Sequence, residues 1–208
     1  MKNERSERWN TKWIRLENAL DQGENITVAG LGDSLTYGWM VSQGYFARFV
    51  SELGERWPAA SIAAINAGIP GDTAAGGLRR LDRVLAQSPH LVLIQFGLND
   101  LFSGVEVTAF ESSYRQIADR IMQSAAIPVL VVSSPLPNPS QQKNAGRYYD
   151  AIRSLGQELG IPVADTDRHM GDAMKTGIDP LQLYLDDGSH PSDEGHRLMA
   201  QAVGALFS

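Results

Sequence analysis

The chain has 208 residues, a length that suits one domain and can bury a sizeable core without covalent staples. Its residues are 43% hydrophobic and 20% charged, as in an ordinary folded globule, and its net charge of -6 argues against a protein that lives by neutralising phosphates or an anionic membrane surface. There is no cysteine, which excludes disulfides, thiolate nucleophiles and Cys-ligated zinc.

Residues 6 to 21 read as an amphipathic helix, with Trp9, Trp13, Leu16 and Leu20 at helical spacing and Arg5, Arg8, Lys12, Arg15 and Glu17 between them. This stripe is expected to pack on the domain; a partner-binding or dimer helix is the alternative. The first twenty residues are charged throughout and have no apolar h-region, so cytoplasmic residence is expected.

From there the chain alternates. Ile26 to Leu31 reads as a strand closed by Gly32, Tyr45 to Leu53 as a helix, and Ser61 to Asn66 as a second strand ended by Gly68, Pro70 and Gly71. Thr73 to Leu85 has helical spacing, with Leu78, Leu81, Val84 and Leu85 on one face. Leu91 to Phe96 and Pro128 to Val132 are near-continuous apolar runs, as strands buried on both faces should be, and both are far too short to span a bilayer. Val107 to Ser124 and Gln141 to Leu159 read as helices, Ile161 to Ala164 as a short fifth strand, and Ser192 as the cap of a last helix through Leu206. Strands alternating with helices point to one α/β domain over residues 1–208, a parallel sheet covered on both faces. In such sheets ligands sit beyond the carboxyl ends of the strands, so residues that do chemistry should follow strand ends.

Four segments do so. Gly32-Asp33-Ser34-Leu35-Thr36 follows the first strand and places a serine hydroxyl at a strand-to-helix turn, near the positive end of the next helix. Gly68-Ile69-Pro70-Gly71-Asp72-Thr73 follows the second; the Gly71 N–H can point at a ligand, although turn geometry alone also explains a glycine there. Gly97-Leu98-Asn99-Asp100 follows the third, and the Asn99 amide can donate to an oxyanion, or form an Asx turn. Asp187-Gly188-Ser189-His190 places an acid three residues before a histidine, close enough to fix its tautomer and leave the other ring nitrogen free as a base. Together the segments supply a nucleophile (Ser34), a base (His190), an orienting carboxylate (Asp187) and three oxyanion donors, the N–H groups of Ser34 and Gly71 and the Asn99 amide.

Gly-Asp-Ser-Leu near the N-terminus, the glycine of Gly-Asp-Thr, Gly-x-Asn-Asp and Asp-x-x-His near the end run in one order over residues 32 to 190. In this the sequence resembles the SGNH hydrolases, the GDSL esterase/lipase family. The resemblance implies a flavodoxin-like three-layer α/β/α sandwich with a five-stranded parallel sheet, and no metal or other cofactor. It matches Ser34, Gly71, Asn99 and His190 to the four letters of the family name and Asp187 to the triad acid. It further implies a carboxylic ester hydrolase working through an acyl-serine on a small-molecule ester or thioester. An acyltransferase, or a non-catalytic binding domain on the same fold, is the alternative. The long N-terminal helix and the apolar Leu98 lie outside the motif pattern.

Competing motifs fail on particular residues. Leu35 replaces the third glycine of a dinucleotide fingerprint. Gly77 and Leu78 stand where a phosphate loop needs Lys and Ser or Thr, and Thr36 stands where a nucleophile elbow needs its second glycine. Asp186, Asp187 and His190 lack the companions of a metal site, and His90, His169 and His196 read as surface or capping residues. Trp39, Met40, Leu98, Phe102, Leu136 and Tyr184 sit in or beside strand-end loops, where they line an acyl pocket or belong to the core. No nucleic-acid partner and no stable membrane anchoring are expected, and the oligomeric state is open.

Overall fold

Five parallel strands lie in the order β2-β1-β3-β4-β5 in the computed structural model, which describes the backbone from Lys2 to Phe207 and side chains from Thr11 to Phe207. The strands are β1 (Asn25–Gly32), β2 (Ser61–Gly68), β3 (Leu91–Gln95), β4 (Ile127–Val132) and β5 (Val163–Asp165). Between and around them run α1 (Lys2–Asp21), α2 (Ser34–Tyr37), α3 (Tyr45–Arg56), α4 (Ala74–Leu85), α5 (Leu98–Phe102), α6 (Val107–Gln123), α7 (Pro139–Leu159), α8 (Thr166–Lys175) and α9 (Asp193–Gly204).

The order places β1 inside, with Ala29 opposite Ile65 of β2 on one side and Val92 of β3 on the other. The sequence direction of the sheet therefore reverses at β1. Right-handed crossovers then put the β1-to-β2 helix on one face and the later crossover helices on the other. Accordingly α3 packs on α9, and α9 on α8, while α4, α6 and α7 pack side by side. The crevice at the reversal lies at the carboxyl ends of β1 and its neighbours, the place where such sheets hold ligands.

β3 and β4 are wholly buried, which is why their sequences are apolar without alternation. The edge strand β2 is only partly covered, so its run of Ser, Ala and Asn among two isoleucines is enough. In the described part of α1, Leu16 and Leu20 are buried, and Trp13 lies with its ring centroid 4.6 Å from that of Phe207. Trp9 lies outside the described side chains. Among the described residues, no helix is long and apolar enough to cross a membrane.

Several boundaries differ from the sequence reading, each for a local reason. The fifth strand is Val163–Asp165 rather than 161 to 164, because the Ile161 N–H is still bound to the Gly156 carbonyl in the turn that closes α7 at left-handed Gly160. α7 begins at Pro139, two residues early, since the Asn138 side chain caps the N–H groups of Ser140 and Gln141 and proline suits the first turn. The last helix stops at Gly204 and tightens into a 3-10 turn. α5 and α8 lack a strong apolar stripe; α8 buries only Thr166 and Met170 and is fixed by the Asp165 side chain capping Arg168 N–H.

Candidate active site

β1 ends at a glycine because nothing larger fits. A Cβ on Gly32 would lie 2.1 Å from Thr36 Oγ1 and 2.7 Å from the Gln95 carbonyl. The chain then turns into α2, capped by Asp33, whose Oδ1 accepts the Leu35 N–H at 2.9 Å. α2 is a single turn, so the helix dipole invoked from sequence is small, since the dipole grows from aligned peptides. What the turn does supply is an unspent backbone donor: among the described residues no acceptor takes the Ser34 N–H. Ser34 is 6% exposed.

The second contributor is the loop before α9. It is held as a small antiparallel bridge, Tyr184 against Pro191, with the Leu185 N–H on the His190 carbonyl at 2.8 Å. Gly188 takes φ 65, which folds Asp187 back onto the histidine. Asp187 Oδ1 accepts the N–H groups of Ser189 and His190 at 2.8 and 2.9 Å, and Oδ2 lies 2.6 Å from His190 Nδ1. A carboxylate on Nδ1 keeps that nitrogen protonated and leaves Nε2 as an acceptor. Nε2 lies 3.0 Å from Ser34 Oγ. Burial by itself would raise the Asp187 pKa; the His190 and Ser189 backbone donors and the His190 ring outweigh it and hold the carboxyl down at about 2.

The loops after β2 and β3 close the site. Gly71 has φ 79, and apart from its own chain neighbours no described atom lies within 4 Å of where its Cβ would be, so the backbone conformation rather than crowding calls for glycine. Among the described residues its N–H has no acceptor. The loop is tied to the nucleophile turn by the Ile69 N–H on the Gly32 carbonyl at 3.0 Å. Asn99 Nδ2 donates to the Asp72 carbonyl at 3.0 Å, which spends one amide hydrogen and leaves the other. Asp100 does not join the chemistry: its carboxylate caps α4 at the Ala74 N–H, 3.2 Å away.

Beside Ser34, through Asp33 and Thr36, lies a buried polar network that the sequence alone does not reveal. Gln95 Nε2 donates to Asp33 Oδ2 and Ser133 Oγ, Thr36 donates to Gln95 Oε1, and Tyr45 Oη bonds Thr36. Burial pushes Asp33 up to about 7 against the opposing bonds from Leu35 and Gln95, and it pushes Asp100 up to about 6. An unfolded aspartate titrates near 3.9, so from about pH 4 to pH 7 the folded chain keeps protons that the unfolded chain releases, and stability falls as pH rises. The urea midpoint should therefore drop between pH 5 and pH 8 and drop less in Asp33→Asn; an equal drop in both proteins removes Asp33 from this account.

The remaining sequence candidates divide. Trp39, Met40 and Phe102 are exposed, whereas Leu98 and Leu136 are buried in the core and Tyr184 is half-buried, its hydroxyl on the Pro135 carbonyl. His90 caps the Thr27 N–H at 3.0 Å. His196 is not a surface residue: it is buried, and its Nδ1 accepts the Tyr45 N–H at the start of α3. The helical spacing could not reveal this, because only packing of α9 on α3 hides that face.

A serine hydroxyl, an imidazole and a carboxylate in one hydrogen-bonded line at the carboxyl end of a parallel sheet define the class of serine-type carboxylic ester hydrolases. The chain belongs to the GDSL-like lipase/acylhydrolase family, whose sequence model matches residues 31–198. It is 31% identical to the thioesterase 1/protease 1/lysophospholipase L1 of Escherichia coli strain K12, over 84% of this chain and 79% of that protein. It is 28% identical to an arylesterase of Vibrio mimicus, over 83% of this chain and 84% of that one. An acetylxylan esterase structure from Geobacillus stearothermophilus superposes with a TM-score of 0.77 at 22% identity, over 88% of this chain and 94% of that one, and so shares the fold.

Proposed function

We propose that the chain hydrolyses carboxylic esters or thioesters of small molecules through an acyl-Ser34 intermediate. His190 Nε2 takes the Ser34 proton as Oγ bonds to the carbonyl carbon. The carbonyl oxygen becomes an oxyanion held by the Ser34 and Gly71 N–H groups and the free hydrogen of the Asn99 amide. His190 then gives the proton to the leaving alcohol or thiol as its bond to carbon breaks. A water deprotonated by His190 hydrolyses the acyl-serine and restores the hydroxyl, while Asp187 holds the ring and balances the imidazolium.

The observation that carries this reading is the line from Ser34 Oγ to His190 Nε2 at 3.0 Å and from His190 Nδ1 to Asp187 Oδ2 at 2.6 Å. The relatives' names, thioesterase and lysophospholipase, arylesterase and acetylxylan esterase, support an ester or thioester substrate. Exposed Trp39, Met40 and Phe102 are the side chains we assign to contact with the acyl or alcohol part, over buried Leu98 and Leu136. The same reading treats residues 1–208 as one domain. A serine-directed organophosphate should label the protein once, at Ser34 by peptide mass spectrometry, and not label Ser34→Ala; stoichiometric labelling of the variant would mean another nucleophile. A panel of esters and thioesters scored by acyl length then ranks the substrates.

A further inference from the structure

Arg80 lies two helical turns beyond Asp72, with Gly76 between them at the same spacing of four, so the three share one side of α4 and its approach. Its guanidinium spends every nitrogen on a different segment. Nε donates to Asp72 Oδ2 at 2.8 Å, Nη1 to the Ala67 carbonyl at 2.5 Å, and Nη2 to the Gly32 carbonyl at 2.8 Å. Gly32 lies two residues before Ser34, and Ala67 is near the end of β2. Asp72 follows Gly71, and the Asp72 backbone carbonyl is the group that anchors the Asn99 amide. Gly76 permits the contact: a Cβ there would fall 1.6 Å from Asp72 Oδ1, so any side chain would push the carboxylate out of place.

We infer that Arg80 is a positioning residue for the oxyanion site, fixing the spacing of the Ser34 N–H, the Gly71 N–H and the Asn99 amide through the segments that carry them. The inference rests on the oxyanion roles proposed above. These donors come from three separate loops, and Arg80 is bonded to the strand end or loop beside two of them and, through Asp72, to the third. Oxyanion stabilisation depends on donors already in place when charge develops, so a clamp of this kind acts on the transition state more than on substrate binding. The planar fork presents donors from three separate nitrogens in a fixed geometry; the three donors of a lysine ammonium all leave one nitrogen on a flexible stem and cannot span these three segments together.

A double-mutant cycle on nitrophenyl acetate turnover tests it, using Arg80→Lys, Asn99→Ala and the pair. Asn99→Ala should cost about a hundredfold to a thousandfold in kcat, as loss of one oxyanion donor does. Arg80→Lys should cost about tenfold to a hundredfold in kcat with KM nearly unchanged, the effect of a small misplacement. The double variant should lose clearly less than the product of the two single losses, because the clamp has one fewer donor to position. Wild-type kcat in Arg80→Lys, or losses that multiply, would overturn the inference. Should Arg80→Lys fail to fold, Asp72→Asn cuts the ion pair while leaving the Arg80 bonds to the two carbonyls; it should lower kcat at least about threefold and show the same coupling to Asn99→Ala, and wild-type kcat there overturns the inference equally. Full turnover in Asn99→Ala would instead remove Asn99 from the oxyanion site, a different failure.

Discussion

Ser34→Ala is expected to lower kcat on an activated ester by about a millionfold, the scale on which removing the nucleophile of a Ser-His-Asp site acts. The variant is a clean one. Ser34 is almost wholly buried, and its hydroxyl bonds only the His190 ring among the described residues, so replacing it by hydrogen leaves a space too small to disturb the turn. The Asp33 cap, the Gly32 contacts and the Arg80 fork stay in place. What remains should be the catalysis given by oxyanion donors without a nucleophile, about a thousandfold to ten-thousandfold over water. Stopped assays with purified protein, corrected for the spontaneous rate, measure it. Turnover within tenfold of wild type, with the fold intact by circular dichroism, would place the reaction at another group.

The hydrogen-bonded line of Ser34, His190 and Asp187 was legible in the sequence because each of its parts depends on a residue type at a local spacing. Ser34 stands two residues past a glycine that no other residue can replace, and Asp187 reaches His190, three positions on, because a left-handed glycine between them makes one tight turn. The sheet was legible for a similar reason: strands buried on both faces leave no polar alternation, so β3 and β4 announce themselves. The rest depends on contacts between segments far apart in the chain. Arg80 reads as an ordinary cation on an amphipathic helix until the ends of β1 and β2 are brought beneath it. His196 reads as exposed until α3 covers it, and Gln95 reads as a polar interruption in a strand until Asp33, Thr36 and Ser133 surround it. The spacing of Asp72, Gly76 and Arg80 was the one local sign of the clamp, and it is a pattern that many surface helices share.

Asp187→Asn should lower kcat/KM by about ten-thousandfold while leaving the backbone of the loop unchanged. The size follows from which atom the amide can place where. Asp187 Oδ1 is committed to the N–H groups of Ser189 and His190, and asparagine must put its only acceptor oxygen there or leave two backbone donors unpaired. The amide nitrogen then faces His190 Nδ1 and donates to it. That bond forces the ring proton onto Nε2, so Ser34 Oγ meets a donor where it needs an acceptor. Acid titration of the carboxylate cannot produce the same state in the working range, because the backbone and ring bonds overcome burial and hold Asp187 at about 2. Its folded pKa lies below the unfolded value near 3.9, so its contribution to stability is complete above about pH 4 and is lost as pH falls toward 2. An acid limb of the wild-type kcat/KM profile above pH 4 would therefore belong to another group, and the Asp187→Asn loss should persist at every pH above that point. Measured kcat/KM within tenfold of wild type at pH 7 would show that the ring keeps its tautomer without the carboxylate, and Asp187 would then be a structural brace for the loop rather than a partner in proton transfer.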